Sequence, residues 1–265
     1  MINIEKLVRE RRSVRTFENR LLTEQDREKI CTFMECIENP YSLPIEFKLL
    51  EGMSCPVVVG TELYIGGKMK KASYMNEAFG YSFEHLVLYA QSLGIGTVWI
   101  GGTMDRGAFE KKMELEADEV MPCVSPLGYP AKKMSLREGM MRKGVKADER
   151  MAFEELFYDG SFAQPLTQEK AGQLYQPLEM VRLAPSAVNK QPWRVVIKDD
   201  GVHFYLQRSK GFASGEIDMQ KIDLGIALCH FDLAAKEAGI PMKFEFAKPD
   251  IEVLDGMEYI ASYLF

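Results

Sequence analysis

Hydrophobic positions along the chain recur with two periods, and the switches between them predict a succession of helices and short strands. Ile30, Phe33, Met34 and Ile37 fall at i, i+3, i+4 and i+7, the apolar stripe of an amphipathic helix. Thr23 stands at its N-cap position, Glu24 and Asp26 follow where the helix dipole favours acids, and Pro40 closes the pattern. Residues 45–50 and 56–59 read as short strands. Gly66, Gly67 and residues 68–71 read as a polar, exposed connection. Residues 75–93 are apolar around much of the helical circumference and predict a buried helix. A glycine-bracketed apolar run, 94–102, predicts a buried strand; 106–114 predicts a short helix, and 123–129 a strand ending at Pro130.

One segment between a helix-like and a strand-like run stands apart. Residues 184–193 read Ala-Pro-Ser-Ala-Val-Asn-Lys-Gln-Pro-Trp. Two prolines restrict the backbone, and Ser186, Asn189 and Gln191 lie between them. Carboxamides carry a donor and an acceptor together, which suits the edge of a heterocycle. The same groups equally suit a loop that satisfies its own backbone. Residues 11–17, Arg-Arg-Ser-Val-Arg-Thr-Phe, concentrate three cations in five positions. That is either a solvated face or an anion site built from planar guanidinium forks. Gly101 and Gly102 are either a strand-end turn or a place where a planar ligand approaches bare backbone. The opening Gly94-Ile95-Gly96 is no dinucleotide fingerprint, because Trp99 occupies the third glycine position and a strand follows.

Composition narrows the partners. The chain of 265 residues is 46% hydrophobic, enough for a sizeable core, and its net charge of −6 argues against nucleic acid or an anionic membrane as main partner. No run approaches the roughly 18 apolar residues of a membrane span, and Met1-Ile-Asn-Ile-Glu-Lys6 lacks a signal-peptide core. Five cysteines without a C-x-x-C pair read as reduced thiols of a cytoplasmic protein, with Cys31 and Cys36 in the core. His85 and His230 fall inside predicted helices and read as structural, and His203 falls in a strand far from any partner. Nothing has metal-ligand spacing. Residues 132–150 carry seven basic side chains, Arg150 last.

The chain is also internally repeated. At an offset of 145 residues, Gly80, His85, Leu88, Ala90, Gly94 and Ile95 recur as Gly225, His230, Leu233, Ala235, Gly239 and Ile240. The same offset relates Phe17 to Phe162, Leu21 to Leu166, Glu24 to Glu169 and Pro40 to Pro185. The halves, 1–150 and 151–265, differ where chemistry is concentrated. Leu156, Phe157, Tyr158 and Gly160 replace Arg11, Arg12, Ser13 and Arg15, and the segment after Pro40 lacks the carboxamides found after Pro185. Each half has discarded what the other kept. The complementarity predicts one complete site joining 11–15 to 185–191.

These stretches, with 93–102 (Leu-Gly-Ile-Gly-Thr-Val-Trp-Ile-Gly-Gly), 127–131 (Leu-Gly-Tyr-Pro-Ala) and Arg150 before Phe153-Glu154-Glu155-Leu156, resemble the FMN-dependent nitroreductase family. The Pro-Ser stretch comes about 170 residues after the Arg-Arg-Ser stretch, where the family usually has a short helix between them. Duplication accounts for this order, which is similar to the family's single-chain pseudo-dimeric branch. The resemblance implies an α+β fold: two related halves, each with a mostly antiparallel sheet flanked by helices, fused in one monomeric chain. It implies that Arg11, Arg12, Ser13 and Arg15 contact FMN, with Arg15 at the N1/O2 edge assisting electrostatically. Pro185, Ser186, Ala187, Asn189 and Gln191 would line the ring and ribityl. Ile100, Gly101 and Gly102 would lie near the pyrimidine and N5, and Arg150, with Lys143 or Lys146, would complete the phosphate site. Ala187 stands where relatives often have a second serine.

The implied activity is a ping-pong oxidoreductase. NADH or NADPH reduces FMN, and a small electrophile, a nitroaromatic or quinone, takes the electrons, with no protein nucleophile or metal required. A flavin-storage protein with little turnover shares the same site, and a structural domain with a decayed pocket is the third alternative.

Overall fold

The computed structural model describes residues 3–247 and 249–265. It divides into two compact units, one of Glu10–Ala147 and one of Asn3–Arg9 with Asp148–Phe265. Met1 and Ile2, the start of the segment expected to lack a signal-peptide core, lie outside the described residues. The N-terminal helix α1 (Ile4–Glu10) is capped by Asn3, whose Oδ1 accepts from Lys6 N at 2.7 Å. Its first turn joins the C-terminal unit through Ile4 N and the Glu237 carboxylate, 2.9 Å apart.

The 10–147 unit runs α2 (Glu24–Glu35), β1 (Glu46–Glu51), β2 (Leu63–Lys70), α3 (Met75–Ser92), α4 (Arg106–Met113), β3 (Glu119–Val120), β4 (Val124–Pro126) and α5 (Leu136–Gly144). Thr23 caps α2 by accepting from Asp26 N at 3.1 Å. The strands are antiparallel, with β2 central: β1 lies on one side, and β3 and β4 pair the other. The stretch whose sequence predicts an exposed connection is thus the buried centre of this sheet. Gly66 and Gly67 are bare because a Cβ there would stand 2.9 Å from the Leu50 side chain and Met113 sulfur, or from the Phe47 and Phe79 rings. Lys68 is buried but donates to Glu114 O at 3.2 Å and pairs with Glu119 at 3.0 Å and Glu46 at 3.6 Å. The Glu119 hydrogen bond raises its pKa above the ordinary lysine value.

The structure also differs from the sequence pattern elsewhere, for identifiable reasons. Residues 56–59 form a turn closed by Val58 N on Cys55 O, with one bridge from Val59 to Thr16, because Pro56 has no N–H to give a ladder. Residues 94–102 are extended but pair by single bridges at Gly96, Thr97 and Ile100. The basic stretch hides helix α5, capped by Ser135 Oγ accepting from Glu138 N. Cys31 is only half-buried and Cys36 is exposed, since α2 turns both away from the Ile30 side.

The other unit continues with α6 (Phe153–Leu156), β5 (Phe157–Asp159), α7 (Gln168–Ala171), α8 (Tyr175–Leu183), β6 (Trp193–Lys198), β7 (Gly201–Gln207), β8 (Ala213–Ser214), β9 (Ile217–Asp218), α9 (Met219–Glu237), β10 (Lys243–Glu245) and β11 (Met257–Leu264). Its main sheet has the order β10-β11-β7-β6-β5, antiparallel except for β5 and β6. Trp193, Val195, Phe204, Phe231 and Tyr263 fill the core.

The repeat is visible in both units. Helices α3 and α9 each end on a glycine in the left-handed region, Gly94 (φ 72°) and Gly239 (φ 69°). In each the following isoleucine donates five residues back, Ile95 to Ala90 O and Ile240 to Ala235 O, both at 3.0 Å. His230 Nδ1 lies 2.9 Å from Met180 O, linking α9 to α8. His203 is not remote from partners: Ser262 Oγ lies 2.7 Å from Nδ1 and Asp200 Oδ1 3.1 Å from Nε2. Ser262 faces it directly across the β7–β11 pairing. Among the described residues no group of histidine, cysteine and acids is arranged to hold a metal, and no helix is long and apolar enough to cross a membrane.

Candidate functional site

In the 10–147 unit, residues 11–17 form an extended segment clamped on both sides. Val14 N donates to Thr97 O (2.9 Å), Val59 N to Arg15 O (2.9 Å), Phe17 N to Val59 O (2.8 Å) and Ala131 N to Thr16 O (3.0 Å). Side chains alternate along such a backbone. Val14 packs over Gly96, where a Cβ would approach it to 3.0 Å, so Arg11, Ser13 and Arg15 share the other face. Arg12 Nη1 donates to the buried Glu138 carboxylate at 3.0 Å, and its charge is answered within the unit.

Arg11 and Arg15 are different. The Nε of each is buried with no hydrogen-bond partner among the described residues. Burial lowers the pKa of both guanidinium groups. The Glu84 carboxylate offsets this for Arg11 and Glu138 for Arg15, while Arg142 adds to the lowering. An unsatisfied buried donor costs about 1–3 kcal/mol, so the pair is an expense of the isolated fold that an anionic or carbonyl-rich ligand would relieve.

The nearby turn at Gly101 and Gly102 is held by Arg106, which donates to Gly101 O at 2.8 Å and Met121 O at 2.7 Å. Gly102 is exposed, and no atom lies within 4 Å of where its Cβ would be. Nothing in the chain requires a glycine there, as expected where a ligand needs bare backbone. Ile100 is committed to the core, and its N–H and C=O both pair with Val124. Lys143 closes α5 and Lys146 follows it, both exposed.

In the other unit the Pro-Ser loop connects α8 to β6. Its polar side chains largely hold the loop itself. Ser186 Oγ accepts from Gln191 N (2.8 Å), Gln191 Oε1 from Met151 N (3.0 Å), and Asn189 Nδ2 donates to Glu149 O (3.0 Å). The Ser186 hydroxyl proton remains available to donate. Gln191 is buried at 4% exposure, so its carboxamide serves the loop rather than an open surface. Arg150 lies against this loop, donating to Asn189 Oδ1 (3.3 Å) and Leu183 O (3.2 Å). The structure thus brings Arg150, Ser186, Asn189 and Gln191 into one cluster, flanked by Pro185 and Ala187.

The loop is strained. Val188 (φ 44°), Asn189 (φ 58°) and Gln191 (φ 48°) all occupy the left-handed region. For a β-branched residue such as Val188 that conformation costs roughly 1–3 kcal/mol, and strain of this kind concentrates at ligand sites. One buried carboxylate beside the loop escapes sequence reasoning: Asp223 on α9 accepts from Ala187 N with both oxygens, at 3.0 and 3.2 Å. The available signal is the repeat, which places Asp223 opposite Ala78, an acid where the sister helix has a methyl group.

Among proteins with curated descriptions, none matches this chain. A crystal structure described as a "putative nitroreductase" from Thermotoga maritima is similar over 99% of this chain and 92% of its own, with 21% identity and a TM-score of 0.65. A "Putative NADH dehydrogenase/NAD(P)H nitroreductase" from Bacteroides thetaiotaomicron covers 50% of this chain and 89% of its own, at 20% identity and TM-score 0.43. An "FMN-dependent Nitroreductase" from Clostridium difficile covers 52% and 94%, at 16% identity and TM-score 0.41. The full-length likeness shows the α+β nitroreductase fold. The family model described as "Putative TM nitroreductase" matches residues 3–235, and the chain belongs to this nitroreductase-like family.

Proposed function

We propose that the chain is an FMN-dependent oxidoreductase that accepts electrons from NADH or NADPH and delivers them to a small electrophile such as a nitroaromatic or quinone. The observation that carries this is the pair of guanidinium groups, Arg11 and Arg15, with buried Nε atoms that the fold leaves unsatisfied. Bound FMN supplies two-electron chemistry through its isoalloxazine ring.

The protein's share is binding and charge. Arg15 stabilises negative charge at the pyrimidine edge of the ring, as a fixed cation in a poorly solvated place does at low reorganisation cost. Arg11 and Ser13 offer donors from the same face, and Arg12, already paired with Glu138, keeps its remaining N–H groups for the ribityl or phosphate. Gly101 and Gly102 supply bare backbone. In the other unit, Arg150 supplies a second cation, and Pro185, Ser186, Ala187, Asn189 and Gln191 form the strained loop offered to the ring and ribityl.

The test is direct. Protein purified with added FMN is expected to retain a flavin band near about 450 nm that bleaches when NADH or NADPH is mixed in anaerobically. Failure to retain flavin rejects the assignment. A flavin that stays oxidised for minutes with both nucleotides rejects the enzyme but not the flavin site.

A further inference from the structure

Asp223 lies just inside the first turns of α9, at 2% exposure. Among the described residues its carboxylate meets one donor, the Ala187 N–H. Burial pushes its pKa well above the usual carboxylate range; the Ala187 bond opposes the rise and the nearby Asp218 carboxylate adds to it. A buried acid with so little compensation weakens the fold that carries it, so it demands an account beyond packing.

The repeat provides an internal control. In the first half the loop around Pro40 is also tethered to its long helix, but through the residue before the proline: Asn39 Nδ2 donates to Ser82 Oγ at 3.1 Å. The counterpart of Ser82 is Ala227, and the counterpart of Asp223 is Ala78. The tether has moved one helical turn between the halves and changed from a neutral hydroxyl to an acid. A hydroxyl is therefore sufficient to pin such a loop. The acid occurs in the half whose loop holds three left-handed non-glycine residues, and it grips the N–H immediately before them.

We propose that Asp223 is a positioning residue for the flavin: by fixing Ala187 it keeps Val188, Asn189 and Gln191 in the left-handed conformation that presents this loop to FMN. The proposal rests on the flavin assignment above. It acts through the backbone, so Asp223 needs no contact with the cofactor.

Three variants of the full-length protein test it. Asp223→Ala removes the acceptor, and Asp223→Asn keeps the volume and one acceptor. Ala187→Pro removes the donor at the start of a helical turn, after Ser186, whose φ of −147° and ψ of 162° suit a residue preceding proline. FMN affinity is read by quenching of flavin fluorescence, and loop order by hydrogen exchange of amides 188–191 in the flavin-free protein. Expected are FMN dissociation constants about ten-fold or more weaker for Asp223→Ala and Ala187→Pro, with faster exchange, and a double variant no weaker than either single one. Asp223→Asn is expected to stay within about three-fold of wild type. Unchanged FMN affinity in the alanine and proline variants overturns the proposal alone, whatever their exchange rates. So does an asparagine variant as weak as the alanine one. If Asp223→Ala fails to fold, Ala187→Pro makes the same comparison from the donor's side. Wild-type protein that binds no FMN overturns the flavin assignment and this proposal with it.

Discussion

Substituting Arg15 with alanine sets two effects in opposition, and their signs distinguish a ligand site from a structural cation. In the fold, Arg15 Nε is buried without a partner among the described residues and its guanidinium is disfavoured by burial, with Glu138 only partly compensating. Its backbone carbonyl accepts from Val59 N, a bond that alanine retains. Removing the side chain therefore leaves the flavin-free protein no less stable, within about 0.5 kcal/mol, or slightly more stable, because an unsatisfied donor leaves with it. FMN binding moves the other way. A hydrogen bond to a charged group contributes about 1.5–3 kcal/mol, and at about 1.4 kcal/mol per decade its loss weakens FMN roughly ten- to hundred-fold. Arg137 is the control: it is an exposed cation of the same unit, donating to Pro56 O, and its removal should leave FMN affinity unchanged. Thermal melts of the flavin-free variants and fluorescence titrations with FMN measure both quantities. Equal affinity losses for Arg15→Ala and Arg137→Ala, or an Arg15→Ala protein markedly destabilised without flavin, would refute the assignment.

Further outcomes are expected elsewhere in the molecule. Gly67→Ala forces a Cβ to within 2.9 Å of the Phe47 and Phe79 rings, so urea unfolding should show a loss of about 1–3 kcal/mol; an unchanged midpoint would show that the sheet centre is looser than described. His203 is held neutral by burial, with Asp200 opposing, so its pKa lies below the ordinary 6.5. The unfolded chain then binds the extra proton first, and the His203 contribution to stability is present above about pH 6.5 and is lost as pH falls below it. His203→Gln should flatten that part of a pH–stability curve measured by urea titration, and an identical slope in the variant would exclude the histidine as its source. Because both related halves reside in one chain, light scattering is expected to give the single-chain mass of 30.2 kDa, and a doubled mass would refute the expectation of a monomer.

What the sequence revealed depended on whether a segment's pattern was set by its own residues or by its neighbours. The buried helices α3 and α9 declare themselves because apolar residues surround them, and the Thr23 cap because its side chain bonds three residues on. Strand β2 does not. Its glycines and lysine look like a turn until Leu50, Phe47, Phe79 and the Glu119 carboxylate are brought beside them, and all of these come from other elements. His203 misleads for the same reason, since Ser262 becomes its partner only once β7 and β11 are paired. At the candidate site, residue types were legible but their duties were not. Gln191 and Asn189 looked like ring-lining carboxamides, and the structure spends part of their capacity on Met151 N and Glu149 O.

That internal use of the carboxamides sharpens the contrast between the halves. A loop whose polar groups bond its own neighbours has no need of left-handed valine, asparagine and glutamine, because those bonds form more cheaply in relaxed turns. The first-half loop shows the relaxed solution: Asn39 Oδ1 accepts from Tyr41 N at 3.1 Å, Asn39 Nδ2 donates to Leu43 O at 2.7 Å, and of its residues Ser42 has a positive φ. The second-half loop retains the strain and adds a buried acid to hold it. Strain and a buried acid with a single backbone donor both lower stability, and they occur together in the half that kept Ser186, Asn189 and Gln191. The unsatisfied Nε atoms of Arg11 and Arg15 lie in the first half, where the second half has leucine and glycine instead. Each unit is thus locally less stable than its sister's equivalent segment would make it, at the segment the resemblance assigns to FMN, which is the distribution expected when ligand binding, not folding, sets the residues.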